Sequence, residues 1–203
     1  MGSTTFSGPV TSTGGFVGEV TGDTIAVVET AEHGAGSIGT SGFGAPQTYR
    51  WIDKGVIITQ IKFDITGLGV KGTAENDVIG LVAGGVAFIG RYVVATNGVL
   101  FKSELTCIEA PGEGTSTITQ DIDLVVNSSA VLIYDGAAST KKLHNTGTLV
   151  VNETVVNLLP GAGGTAISAN DYIYIVEGDT AATTGVYDAG MFILTMYGHA
   201  VLA

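Results

Sequence analysis

Val56-Ile-Ile-Thr-Gln-Ile-Lys-Phe-Asp-Ile-Thr66 alternates with a period of two. Thr59, Ile61, Phe63 and Ile65 share one face, while Gln60, Lys62 and Asp64 share the other. Successive side chains point to opposite sides only along an extended chain, so this stretch predicts a strand with one face in a core. Working outward, similar short runs recur at 24–30, 49–53, 78–82, 86–94, 98–108, 117–126, 130–134, 148–158, 171–177 and 186–202. Turn signals such as Asn97-Gly98, Asp135-Gly136 and Gly161-Ala-Gly-Gly164 separate many of them. No segment sustains a 3.6-residue stripe, and at most one short helical turn fits, around residues 73–76. Many short strands at even spacing predict an all-β fold: a jelly-roll-like antiparallel β-sandwich or a barrel.

Composition agrees. Glycine supplies 31 of 203 residues, and charged residues are only 13%, yet 45% are hydrophobic, which is enough to build a core. Residues 1–22 differ from the rest in being dominated by Ser, Thr and Gly. They carry Phe6, Val10, Phe16 and Val17 at intervals, which a plain linker would not need. They read as an N-terminal arm anchored by those four residues or as an ordinary first strand, with 23–203 as a single β domain. Two runs, Tyr172-Ile-Tyr-Ile-Val176 and Met191-Phe-Ile-Leu-Thr-Met-Tyr197, are apolar on both faces. Such strands lie inside a layered fold or at a subunit interface, and a homo-oligomer is the economical expectation.

Charge excludes several classes. Eight Lys and Arg against 19 Asp and Glu give a net charge of −11. Scattered cations form no stripe for phosphates, and an anionic membrane surface would repel the chain, so neither nucleic acid nor membrane is an expected partner. The longest uncharged apolar run, 78–90, holds four glycines and is too short to span a bilayer as a helix. No basic, then apolar, leader opens the sequence, and a lone Cys107 allows no internal disulfide framework, so synthesis in a reducing cytoplasm is expected.

Motifs for chemistry are thin. Gly67-Leu-Gly-Val-Lys-Gly72 has the G-x-G-x-x-G spacing. A dinucleotide fingerprint also needs a helix opening at the last glycine, and 73–77 leaves no room for one. Cys107, in Glu104-Leu-Thr-Cys-Ile108, reads as a small buried thiol. His33, His144 and His199 are isolated from one another and from any nucleophile motif. Asp121 and Asp123 fall on one strand face and could offer oxygens to calcium, but with Thr117 and Thr119 they read more simply as a solvated face. Trp51, in Tyr49-Arg-Trp-Ile-Asp53, is a sugar-stacking platform or a core or interface anchor. No catalytic, cofactor-binding or metal-ligating residue is assigned, and no enzyme is expected.

Four strings carry a resemblance: Thr5-Phe-Ser-Gly-Pro-Val-Thr-Ser-Thr-Gly-Gly-Phe16, Ile61-Lys-Phe-Asp-Ile-Thr-Gly-Leu68, Glu104-Leu-Thr-Cys-Ile-Glu-Ala-Pro-Gly-Glu-Gly114 and Tyr187-Asp-Ala-Gly-Met-Phe192. With them the chain resembles small structural proteins of marine tailed phages, most of all capsid decoration (cement) proteins. The resemblance implies a β-rich virion component on the capsid surface that bridges neighbouring major capsid protein subunits. It also implies a homo-oligomer, with a trimer favoured, and no cofactor. In that setting Phe6, Val10, Phe16 and Val17 are the expected capsid contacts. The alternative is a fibre or spike head that binds a host surface glycan.

Overall fold

The computed structural model describes residues 33–37, 45–71, 76–82, 84–112, 120–134, 141–159, 167–178 and 184–200, and the backbone of 27–29. The arm expected over 1–22, with Phe6, Val10, Phe16 and Val17, lies outside the described residues.

Twelve strands follow in order: β1 (Val27–Glu29), β2 (Gln47–Asp53), β3 (Val56–Asp64), β4 (Gly69–Val70), β5 (Gly90–Arg91), β6 (Val99–Gly112), β7 (Ile122–Asn127), β8 (Lys142–His144), β9 (Thr154–Leu158), β10 (Tyr172–Glu177), β11 (Gly185–Val186) and β12 (Ala189–His199). A single helical turn, α1 (Val94–Asn97), and a 3-10 turn at Ala35–Ser37 complete the described elements. Six strands form one sheet in the order β1-β2-β3-β12-β6-β9, four form another in the order β5-β10-β7-β8, and β11 pairs with β4. Pairing is antiparallel throughout these sheets. The arrangement is sandwich-like, and among the described residues no barrel closes.

The alternation of 56–66 has the consequence expected of it. Thr59, Ile61, Phe63 and Ile65 are all buried. Lys54 (φ +47°) and Gly55 (φ +82°) turn β2 into β3, the left-handed pair that a tight hairpin needs. β12 lies between β3 and β6, and Phe192, Leu194 and Met196 project inward from it. Phe63 stacks on Phe192 with ring centroids 5.4 Å apart. From the four-stranded sheet, Ile122, Leu124, Val126, Leu143, Ile173 and Ile175 meet these residues in one core.

β10 is buried on both faces, as its composition predicted, but its second face is covered by the chain itself. Tyr174, Val176 and Val125 pack there against Val78, Ala87, Phe88 and Leu132. Residues 86–88 and 130–134 are held together by a bridge between Val86 and Ile133 and by Ala87 N–H donating to the Leu132 carbonyl at 2.9 Å. Tyr174 Oη donates to the Ser129 carbonyl at 2.6 Å, and the Phe88 and Tyr172 rings meet edge to face at 4.9 Å. Above this layer Gly36 N–H donates to Val86 O at 2.7 Å; a Cβ on Gly34 would lie 2.0 Å from that same oxygen. Only glycine permits so close an approach of two backbones.

Other expectations shift. Residues 130–134 and 78–82 make isolated bridges, because they cap the four-stranded sheet and its edge instead of extending a ladder. β8 carries no alternation long enough to read. Most of 73–76 lies outside the described residues; the helical turn that is described, α1, ends at Gly98 (φ +71°), so Asn97-Gly98 closes a helix, not a hairpin.

Truncating Leu194, fully buried between the sheets, to alanine should cost about 2–5 kcal/mol in urea unfolding, whereas Val131→Ala on the exposed covering loop should stay within about 0.5 kcal/mol.

Candidate interaction face

With the inner faces and the second face of β10 covered, the outer face of the six-stranded sheet remains uncovered by another layer among the described residues. Its residues line up in cross-strand rows. Trp51, Ile58, Tyr197, Lys102 and Leu158 are successive partners across β2, β3, β12, β6 and β9. The next row runs Tyr49, Gln60, Thr195, Glu104 and Val156. These positions alternate with those that enter the core, so they point away from it, although Ile58 and Thr195 are buried among their neighbours on the face.

At the centre of this face one pair of opposite charges is held together. Lys102 Nζ donates to Glu104 Oε1 at 3.0 Å and sits 3.9 Å from the centre of the Tyr197 ring. Tyr197 Oη donates to the other Glu104 oxygen at 2.6 Å. That hydrogen bond, helped by Lys102 and opposed by desolvation, lowers the Glu104 pKa. Burial and the bond to Glu104 push the Tyr197 phenol up to about 12. Towards β9 the face becomes apolar and open: Val156 is 52% and Leu158 64% exposed. A surface with paired charges and exposed aliphatics can be buried against a partner without stranding a charge.

Behind it, a polar seam ties the two sheets. Ser103 of β6 and His144 of β8 are both buried, with Oγ and Nε2 3.0 Å apart. Asn157 of β9 donates to the Leu143 carbonyl at 2.6 Å; within the four-stranded sheet, Lys142 of β8 pairs with Asp123 of β7 at 2.7 Å. Thr146 N–H also donates to Asp123, at 2.8 Å. Burial without a compensating charge lowers the His144 pKa to about 4, so the ring is neutral at neutral pH.

The residues singled out from sequence disperse over this architecture. Trp51 and Tyr49 lie on the outer face, which suits an interface anchor or a stacking platform. Cys107 points into the core, and burial, with Glu153 and Glu109 adding to it, raises its pKa. The histidines stay apart: His33 bonds its neighbour Gly34, His144 joins the seam, and His199 stacks on Phe101 at 4.3 Å. The solvated face expected for Asp123 is incorrect, since that carboxylate is fully buried and ion-paired. Asp121 lies beside the chain's close approach at Gly178, whose N–H donates to the Asp121 carbonyl at 2.8 Å. Among the described residues no group of three His, Cys, Asp or Glu is placed to hold a metal. Gly67 (φ +80°) opens a turn into β4, and Gly69 bridges Gly80, so this part of the glycine motif links strands.

Sequence reasoning did not single out Val156, Leu158, Lys102, Glu104 or Tyr197. The visible signal was Thr154-Val-Val-Asn-Leu158, where apolar residues occupy both parities of a strand.

No protein-family model matches the chain, and no curated protein or solved structure matches it.

The seam carries a pH prediction. The His144 pKa is lower folded than unfolded, so protonation favours unfolding: its contribution is intact above about pH 6.5 and falls as the pH drops towards 4, by roughly 3 kcal/mol in total. Glu104, whose pKa is lowered, loses its contribution only below the ordinary glutamate range. Urea unfolding across pH should show the upper decline in the native chain and a flatter line in His144→Gln.

Proposed function

We propose that this chain is a non-enzymatic virion structural protein that decorates a phage capsid and stabilises it by bridging neighbouring capsid subunits. The observation that carries the reading is the outer face of the six-stranded sheet, where Lys102 and Glu104 pair and aliphatic residues are open, at one side of a sandwich in which strand β10 is already covered on both faces. The four sequence strings that resemble marine phage structural proteins support the same assignment. A protein that binds only the assembled, expanded shell shifts the equilibrium towards that shell, and needs wide complementary surfaces to do so. It acts as a homo-oligomer, with a trimer favoured, on the capsid surface. The arm 1–22 docks through Phe6, Val10, Phe16 and Val17; ordering it costs roughly 1–2 kcal/mol per backbone residue, which burial of those side chains offsets.

A second reading rests on Trp51 and Tyr49, which share the outer face with Gln60 and Glu104. Aromatic rings with polar neighbours suit a host surface glycan, as in a fibre or spike head.

Cosedimentation with purified expanded heads tests the proposal. The full chain should bind expanded heads and leave unexpanded ones free, and deletion of 1–22 should weaken binding by about tenfold or more, that is 1.4 kcal/mol or more. No binding of the full chain to either form contradicts decoration, and unchanged binding after the deletion contradicts the arm. Glycan binding lost in Trp51→Ala, without head binding, selects the second reading.

A further inference from the structure

Among the described residues, strand β9 is the outermost strand of its sheet, next to β6 alone. Its register shows which backbone groups β6 uses. Leu159 N–H donates to Phe101 O at 2.7 Å, and Cys107 N–H donates to Glu153 O at 2.9 Å. With Leu158 opposite Lys102 and Val156 opposite Glu104, the alternation of antiparallel ladders turns the backbone groups of Val155 and Asn157 towards β6 and those of Thr154, Val156 and Leu158 away from it. Those same three residues are the exposed ones of the strand. A row of outward donors and acceptors flanked by open apolar side chains is a template for another strand.

Charge decides which strand. The chain carries −11, so copies of it repel unless they meet where charge is absent. From Thr154 to Asn170 the sequence has no charged residue. The exposed aliphatics concentrate here too: Val150 and Val151, at 58% and 48% exposure, sit in the turn entering β9, beside Val156 and Leu158. The edge is also self-complementary. With two copies antiparallel about Val156, that residue faces its own counterpart and Thr154 faces Leu158, so every outward group finds a partner in about six hydrogen bonds. No like charges oppose one another.

We propose that β9 is the edge at which two copies of this chain pair, antiparallel about Val156, joining their six-stranded sheets into one continuous sheet. The pairing is two-fold, so a three-fold body would need a further surface. It rests on strand and register alone, not on the capsid reading, and is tested on the isolated chain.

Sedimentation equilibrium between about 1 and 100 μM should show a monomer–dimer equilibrium for the native chain. Val156→Lys sets two ammonium groups together across the axis while leaving the core untouched. Val156→Pro removes an outward N–H that β6 does not use, a position where an edge strand tolerates proline. Each variant should raise the dimer dissociation constant by about tenfold or more, with Val156→Lys keeping the native urea midpoint. Amide hydrogen exchange at Thr154, Val156 and Leu158 should slow as concentration rises. A native chain that stays monomeric, an oligomer that Val156→Lys leaves intact, or amide protection independent of concentration, which would mean that the chain covers its own edge, each overturns the pairing.

Discussion

Strand β10 must be covered on both faces, and the rest of the molecule is arranged around that demand. Ile173 and Ile175 on one side, and Tyr174 and Val176 on the other, leave no face for water. The six-stranded sheet covers the first side and the chain's own segments around 86–88 and 130–134 cover the second. Covering a sheet with irregular backbone brings main chains into contact, and glycine is the residue that allows it. At Gly34 and Gly36 there is no space for a Cβ beside the carbonyls of 85 and 86. High glycine content in this chain is therefore partly a packing requirement of a third layer, beyond its usual role in turns.

Because that layer covers the four-stranded sheet, the outward business of the fold passes to the six-stranded one. There Lys102 pairs with Glu104. Glu104 answers to Tyr197 as well, so the polar groups at the centre of the face are held by each other and not by water. The net negative charge keeps copies apart elsewhere, and a partner meets least electrostatic resistance along the uncharged rim. A fold whose interior is committed to packing, and whose described outer face becomes aliphatic towards β9, suits the proposed role of lying against other proteins.

The architecture was legible wherever one face of a strand is polar. The run at 56–66 announced its register by the period-two trace that one buried face leaves, and Met191 to Tyr197, apolar on both faces, announced a central strand by its continuous apolar run instead. Legibility failed where tertiary contacts replace local pattern. β8 is three residues held by β7, and residues 130–134 read as a strand although they serve as a lid. The double burial of β10 pointed towards a partner subunit, but a sequence cannot say whether a covering layer is another copy or its own loops. The seam joining Ser103 to His144 was invisible for a similar reason: 41 positions separate the pair, and neither has a motif around it. The face residues were hidden in plain alternation, since outward Val156 and Leu158 look like core until the strand is known to be an edge.

The proposed place on a capsid surface is tested most directly by abundance. Quantitative mass spectrometry of heads and tails, separated from particles of a phage encoding this chain, would give its copy number relative to the major capsid protein. The account predicts a number close to that of the capsid protein, confined to heads. A few copies per particle, travelling with the tails, would contradict it.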